Sequence, residues 1–357
     1  GLLDERKDFV FGSYSTEMGG PTILHSHRFM FDKKKAAFRS GALAGAGWNS
    51  ANRGFYSSGF GLGGAATGPA TFMGGAFNYI ETDTSSAFGW ANAIGHTGGA
   101  TSSSDLSATT NTISGGAFNE IYSGIGSGVH SGRFNWLDFT RTSTIISGEK
   151  NWIRGSCDQR VMGSIIGSGY ENIINYSDGS GIVSGDENII GGDSHGSFIG
   201  AGEDNWILTN EDATTSSKLG SLLRNRDKLI VGDPYDPGDE DDRWSCEDED
   251  GYGRSERRTK KRESGTSYFG TSYNAVIGGG YENTIVNSDQ AFIGGGEENI
   301  VSVSRSSSVV GGIGNSIEPY IYNEGETYRT KGFSVAPSDA SAIVGGRDNS
   351  IMSDASA

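Results

Sequence analysis

Apolar positions along this chain fall into a frame set by asparagine. Twelve asparagines, from Asn78 to Asn349, each have a glycine three residues before and an Ile, Leu or Val two residues after, the pattern G-x-x-N-x-[ILV]. Gly75 with Asn78, Gly132 with Asn135, Gly280 with Asn283 and Gly296 with Asn299 are examples. A second apolar column stands six residues before the asparagine, at Phe72, Ile113, Val129, Ile145, Ile166, Ile182, Ile199, Ile277, Ile293, Val309 and Ile343. Two apolar columns per repeat predict two short strands per turn, their inward residues lining the dry interior of a narrow roll.

Six of the eleven intervals between these asparagines are 16 or 17 residues, one is 14 and four are longer. A fixed period broken by loop-like insertions is the mark of a solenoid. The expected fold is all-β: a parallel β-roll, or β-solenoid, with turns of 14 to 16 residues and inserted loops. Glycines at Gly47, Gly54, Gly61, Gly68 and Gly75 mark a 14-residue turn made of two seven-residue halves. At about 4.8 Å per turn, twelve turns predict a rod roughly 60 Å long.

The same pattern divides the chain. Residues 1–46 carry no repeat and read as a connector with short strands and a basic cluster, Lys33, Lys34 and Lys35. Residues 47–207 are β-roll repeats, 208–271 a charged insertion and 272–357 further repeats with an inserted loop at 318–337. Measured against a 16-residue turn, the insertions amount to about 11 residues before Asn119, 5 before Asn172, 62 before Asn283 and 18 before Asn349.

Each repeat position has an expected task. Glycine belongs where φ is positive or where backbones approach too closely for a Cβ. The asparagine amide both donates and accepts, so identical asparagines stacked turn on turn can satisfy backbone groups and one another. Alternation points the next residue outward, yet it is Trp136, Trp152, Ile173, Ile189, Trp206 and Ile300 in six turns. An apolar stripe on the outside of a roll predicts subunit packing, and three copies around an axis give a homotrimer. The residue before the asparagine is acidic at Glu171, Glu187, Asp204, Glu282, Glu298 and Asp348, and reads as a solvated face in preference to a calcium ladder.

Composition narrows the function. Hydrophobic content is 34%, too low for a large oily core, and the 58 glycines serve repeated turns. A net charge of −16 disfavours nucleic acid and acidic membrane surfaces as partners. No run of 18 apolar residues occurs, so no membrane insertion is expected. Cys157 and Cys246 have no metal-ligand spacing.

The run YSSGFGLGGAATGPATFMGG (Tyr56 to Gly75) and turns of the type AFIGGGEENIV (Ala291 to Val301) resemble the YadA-like head repeats of trimeric autotransporter adhesins and of phage tail-fibre-type trimeric adhesins. RFMFDKKKAAFRSG (Arg28 to Gly41) followed by WNSANRG (Trp48 to Gly54) is similar to the lead-in of such repeats. The resemblance implies left-handed parallel rolls intertwined as a homotrimer, an extracellular place on a cell-surface fibre or virion tail fibre, and attachment to a host, prey or matrix surface.

Loops held by a repeat scaffold are where recognition concentrates. The large insertion sets Tyr235, Trp244 and Tyr252 among carboxylates and follows them with the basic run RSERRTKKR (Arg254 to Arg262); the later loop offers Tyr320, Tyr322 and Tyr328. Aromatic rings among carboxylates suit sugar faces, so a glycan or surface polymer is the expected ligand class. No nucleophile motif, zinc spacing or phosphate loop appears. The acidic column is a repeated feature with no singular partner, which favours binding without catalysis over a polysaccharide-cleaving tailspike-like fibre; a purely structural spacer is the other alternative. No cofactor is expected. His25 and His27 form the only His-x-His pair and the one candidate for a transition metal, held on a threefold axis.

Overall fold

The computed structural model describes residues 9–12, 27–42, 48, 50–95, 109–155, 159–192, 194–209, 272–322, 334–336 and 340–353. Among them there is no α-helix, only one short 3-10 turn at Ser50–Asn52. The strands stack into two long sheets of 16 and 14 strands, with a two-stranded sheet, Thr140–Arg141 with Val161–Met162, at one side. Successive strands alternate between the two long sheets, and successive turns pair in parallel within each: Ser58, Phe72 and Ser86 align at 14-residue intervals, and Val276, Phe292 and Ser308 at 16. This is a β-solenoid.

The interior is one continuous cluster of apolar side chains. The first sheet contributes Met73, Ala87, Ile113, Val129, Ile145 and their successors through Val309, and the second contributes Ile80, Ile94, Ile121, Leu137, Ile153 and theirs through Ile317. Most have no exposed surface, as expected where two short strands face each other across a single layer of side chains. Phe72 corrects the expected column. It points outward and is 42% exposed, while Met73 is the inward residue. In a 14-residue turn the strand Phe72–Ala76 runs straight into the corner, so Gly75 follows the inward Met73 by two residues; in 16-residue turns a further residue separates Ile145 from Gly148.

Both expected reasons for glycine hold at the asparagine corner. Gly132 has φ 100°, and a Cβ there would lie 2.1 Å from the Gly148 carbonyl oxygen and 2.5 Å from Asn135 Nδ2. Gly280 and Gly296 repeat this with φ 104° and 103°. Beside the glycines runs the asparagine ladder. The Asn135 side chain donates to Asn119 Oδ1 at 3.0 Å and to the Gly148 carbonyl at 2.9 Å, and Asn283 and Asn299 do the same one and two turns past the large insertion. Asn78 opens the ladder by accepting the Asn92 backbone N–H at 3.0 Å.

A second ladder lies at the opposite corner. Ser143, Ser164, Ser180 and Ser197 are buried, and each Oγ accepts the backbone N–H of the residue one turn later, from Ser164, Ser180, Ser197 and Ala275, at 3.2 to 3.3 Å. The hydroxyl protons go to carbonyls, as from Ser164 Oγ to Ser177 at 2.7 Å. Narrow corners turn backbone groups away from the sheets, and small polar side chains take up what the strands leave unpaired. The residues just before each ladder position are left-handed even where they are not glycine, as at Thr142 (φ 52°) and Glu187 (φ 53°).

The expected connector joins this frame directly. His27–Asp32 and Ala37–Ala42 form an antiparallel hairpin around the Lys33–Lys35 turn, and Ala37–Ala42 then pairs in parallel with Ser58–Leu62 as the first rung. Arg39 occupies the inward position of that rung. It is fully buried, and its guanidinium donates to Ser57 O at 3.1 Å, Ser57 Oγ at 2.9 Å and Ala66 O at 3.1 Å. Burial, with Arg53 nearby, lowers its pKa to about 10 against the opposing pull of Asp32. Arg53 pairs with Asp32 at 3.2 Å, and Lys35 Nζ donates to the Arg53 carbonyl at 2.7 Å. Polar side chains thus close the apolar interior at this end of the roll.

Candidate recognition surface

The insertions share one edge. In the second sheet they follow the strands Ala93–Ile94, Trp152–Arg154, Trp206–Leu208 and Ser316–Tyr322, each leaving from the strand's C-terminal end. Two uninterrupted strands intervene every time: Glu120–Tyr122 and Trp136–Asp138, then Ile173–Asn175 and Ile189–Gly191, then Thr284–Val286 and Ile300–Ser302. The exits therefore recur every third rung, about 14 Å apart along the roll.

The base of the largest insertion is closed. Ser272 N–H donates to Thr209 Oγ1 at 2.8 Å, Ser272 Oγ to the Leu208 carbonyl at 2.7 Å, and Ser197 Oγ to the Ser272 carbonyl at 2.6 Å. Trp206 pairs with Thr284 and Phe198 with Val276, so both sheets cross the 62 intervening residues, 210–271, in unbroken register. The roll holds the two ends of the insertion together whatever lies between them.

Tyr235, Trp244, Tyr252 and Tyr328 lie outside the described residues, as does His25. Tyr320 and Tyr322 fall on the strand Ser316–Tyr322, which extends past the roll to pair antiparallel with Ser334–Ala336. His27 begins the strand His27–Asp32, opposite Ala42. Among the described residues, no three His, Cys, Asp or Glu side chains are grouped as metal ligands.

The outward stripe is in register but more covered than its sequence suggests. Trp136, Trp152, Ile173, Ile189 and Trp206 align rung by rung, and the column continues through Thr284 to Ile300. Trp152 and Trp206 are only 8% and 4% exposed within a single chain, a correction to the expected open stripe. Trp136 meets Trp152 edge-on at 5.8 Å, Arg154 stacks over the Trp152 ring at 4.8 Å, and Trp206 packs with Leu208, Val286 and Ile189. Neighbours two residues along each strand share the outer face, and they supply this cover.

The corner bearing the asparagine ladder changes character along its length. Phe118 stacks on Phe134 at 5.0 Å; Arg133 then pairs with Glu149 at 2.7 Å and Lys150 with Glu171 at 2.8 Å. Beyond that the corner is acidic, with Asp186, Glu187, Glu203 and Asp204 on adjacent rungs, where the backbones of Asp186 and Glu203 form a parallel β-bridge. Partial burial and then the charges of Asp204, Glu171, Asp186 and Glu203 raise the Glu187 pKa. Partial burial pushes Glu171 the same way, but its hydrogen bonds to Lys150 and Tyr170 prevail and leave it lowered.

No protein-family model matches this chain, and no match was found among curated proteins. Two features escaped the reading of the sequence. The serine ladder is written as serine two residues before the inward apolar residue, as in Ser164 with Ile166 and Ser180 with Ile182. The spacing of the insertions is written in the order of the intervals, where every third one is long.

Proposed function

We propose that this chain is the head of a trimeric fibre adhesin, a left-handed roll that binds a glycan or similar surface polymer through its insertions, without catalysis, outside the cell or on a virion. The observation that carries this reading is the common edge of the four insertions, with exits every third rung. A rigid roll that presents several loops in one line at about 14 Å intervals suits an extended, repetitive ligand better than a compact one. The resemblance to YadA-like heads points the same way. In this reading the carboxylates of the asparagine corner are a repeated feature of the turn and not a catalytic pair.

The test replaces residues 210–271 by a short turn between Thr209 and Ser272, whose closed base leaves the roll intact. Binding of the intact protein and of this variant is compared on an array of glycans and bacterial surface polymers. Loss of binding, with the thermal unfolding of the roll unchanged, is the expected result. No binding by the intact protein to any polymer counts against an adhesin and in favour of a spacer; shortening of the polymer establishes the cleaving alternative.

A further inference from the structure

We infer that the outer face of the first sheet is where a second copy of this chain packs. This rests on the proposed self-association, and it moves the contact away from the Trp136 to Ile300 stripe. Two residues of each rung flank the buried column on this face, beginning with Phe38 and Ser40 and ending with Ala342 and Val344. Neither column contains an Asp, Glu, Lys or Arg, although 20% of the chain is charged, and His130 is the only ionisable side chain in them. The second sheet differs, with Glu120, Asp138, Arg154 and Glu318 on its outward positions.

The charge-free face is also the apolar one. Phe60, Phe72, Ile165, Val183, Phe198 and Phe292 are 43%, 42%, 43%, 50%, 40% and 40% exposed. At roughly 80 Å² apiece these six leave on the order of 500 Å² of apolar surface open along the face. That is more than half of the about 800 Å² each partner contributes to a stable interface. At the N-terminal end Phe38, Phe60, Phe72 and Phe88 zigzag across the two columns with ring centroids 5.2, 5.6 and 5.3 Å apart, and Gly74 is glycine because a Cβ would lie 2.8 Å from the Phe88 ring.

Charge selects the occupant. Each copy carries −16, so two copies repel wherever their acidic corners meet, and a face without acidic or basic residues running the length of the roll is where they approach without that penalty. A strip that recurs rung by rung lets copies set along a common axis keep the same contact over many rungs.

Sedimentation equilibrium of the full chain tests this with Val310→Asp and Val344→Asp, at positions 52% and 80% exposed in a single chain, where a carboxylate leaves the fold undisturbed. The expected result is an associated wild type and a double variant whose self-association is weakened roughly tenfold or more, with unchanged far-UV circular dichroism. Ile173→Asp on the second sheet is expected to leave the mass unchanged. A monomeric wild type overturns the inference, as does a double variant that stays fully associated or dissociation by Ile173→Asp alone. Polymer binding is scored separately, so an adhesin that self-associates elsewhere is distinguished from a chain that is no adhesin.

Discussion

Asn151 donates from Nδ2 to the side-chain carbonyl of Asn135, one turn earlier, at 3.1 Å, and from its backbone N–H to the same oxygen at 3.1 Å. One buried oxygen thus takes two protons from the next turn, and the relationship recurs from Asn119 to Asn349. Each asparagine completes its neighbour, so the ladder is as continuous as the sheets beside it. Its strength is cooperative in the sense that a missing rung leaves unsatisfied groups on both sides.

Asn188 sits mid-ladder with no exposed surface, donating to Asn172 Oδ1 at 3.0 Å and Gly202 O at 2.8 Å and accepting twice from Asn205. Asn188→Ala is expected to cost roughly 3 kcal/mol, because buried partners on both adjacent turns lose their bonds. Asn349, at the end of the ladder and partly exposed, is expected to cost less than about 1 kcal/mol on the same change. Urea unfolding of the two variants checks the order; equal losses would show that the ladder does not carry this stability.

Two glycines with positive φ separate close approach from conformation. Gly185 (φ 107°) has the Gly202 carbonyl oxygen 2.1 Å and Asn188 Nδ2 2.6 Å from where a Cβ would stand, whereas Gly163 (φ 66°) has nothing within 4 Å. Gly163→Ala is expected to cost about 1 kcal/mol from the left-handed backbone alone, and Gly185→Ala several times more because adjacent turns must part. The reverse change, Thr142→Gly at an exposed residue with φ 52°, is expected to stabilise by about 1 kcal/mol. Thermal unfolding of the three variants gives the comparison.

The raised pKa of Glu187 fixes a pH dependence. The folded chain holds this proton more tightly than the unfolded chain, so its carboxylate disfavours the fold at neutral pH, and that penalty is relieved as pH falls through the raised value. Glu187→Gln is therefore expected to raise the melting temperature at pH 7 and to lose this advantage on acidification below the ordinary glutamate range. A gain that is constant with pH, or that grows toward acid, would contradict the assignment.

The legible part of this protein is its periodic part. Ile145 and Asn151 recur with their counterparts at a fixed offset, and a fixed offset translates directly into a rung, so the two sheets, the buried columns and the glycine corner could be read one turn at a time. Phe72 departs from the expected column because a 14-residue turn omits one residue before its corner, which shifts the inward position to Met73 while leaving the asparagine frame unchanged. Trp152 and Trp206 are less exposed than alternation alone predicts for another reason. Alternation gives the direction of a side chain, and cover depends on residues of other rungs and on Arg154 or Leu208 two positions along.

The sequence by itself determined the repeat: which residues are inward in the 16-residue turns, where glycine is obligatory and how many residues interrupt the turns. These are local facts, since each turn repeats the backbone path of the one before. Tertiary structure alone decided what happens between turns. Stacking joined Ser197 to Ser272 across the largest insertion and sealed the interior's end with Arg39. Such relations depend on the register in which turns are laid on one another, and register is set by the whole set of ladders and strands at once.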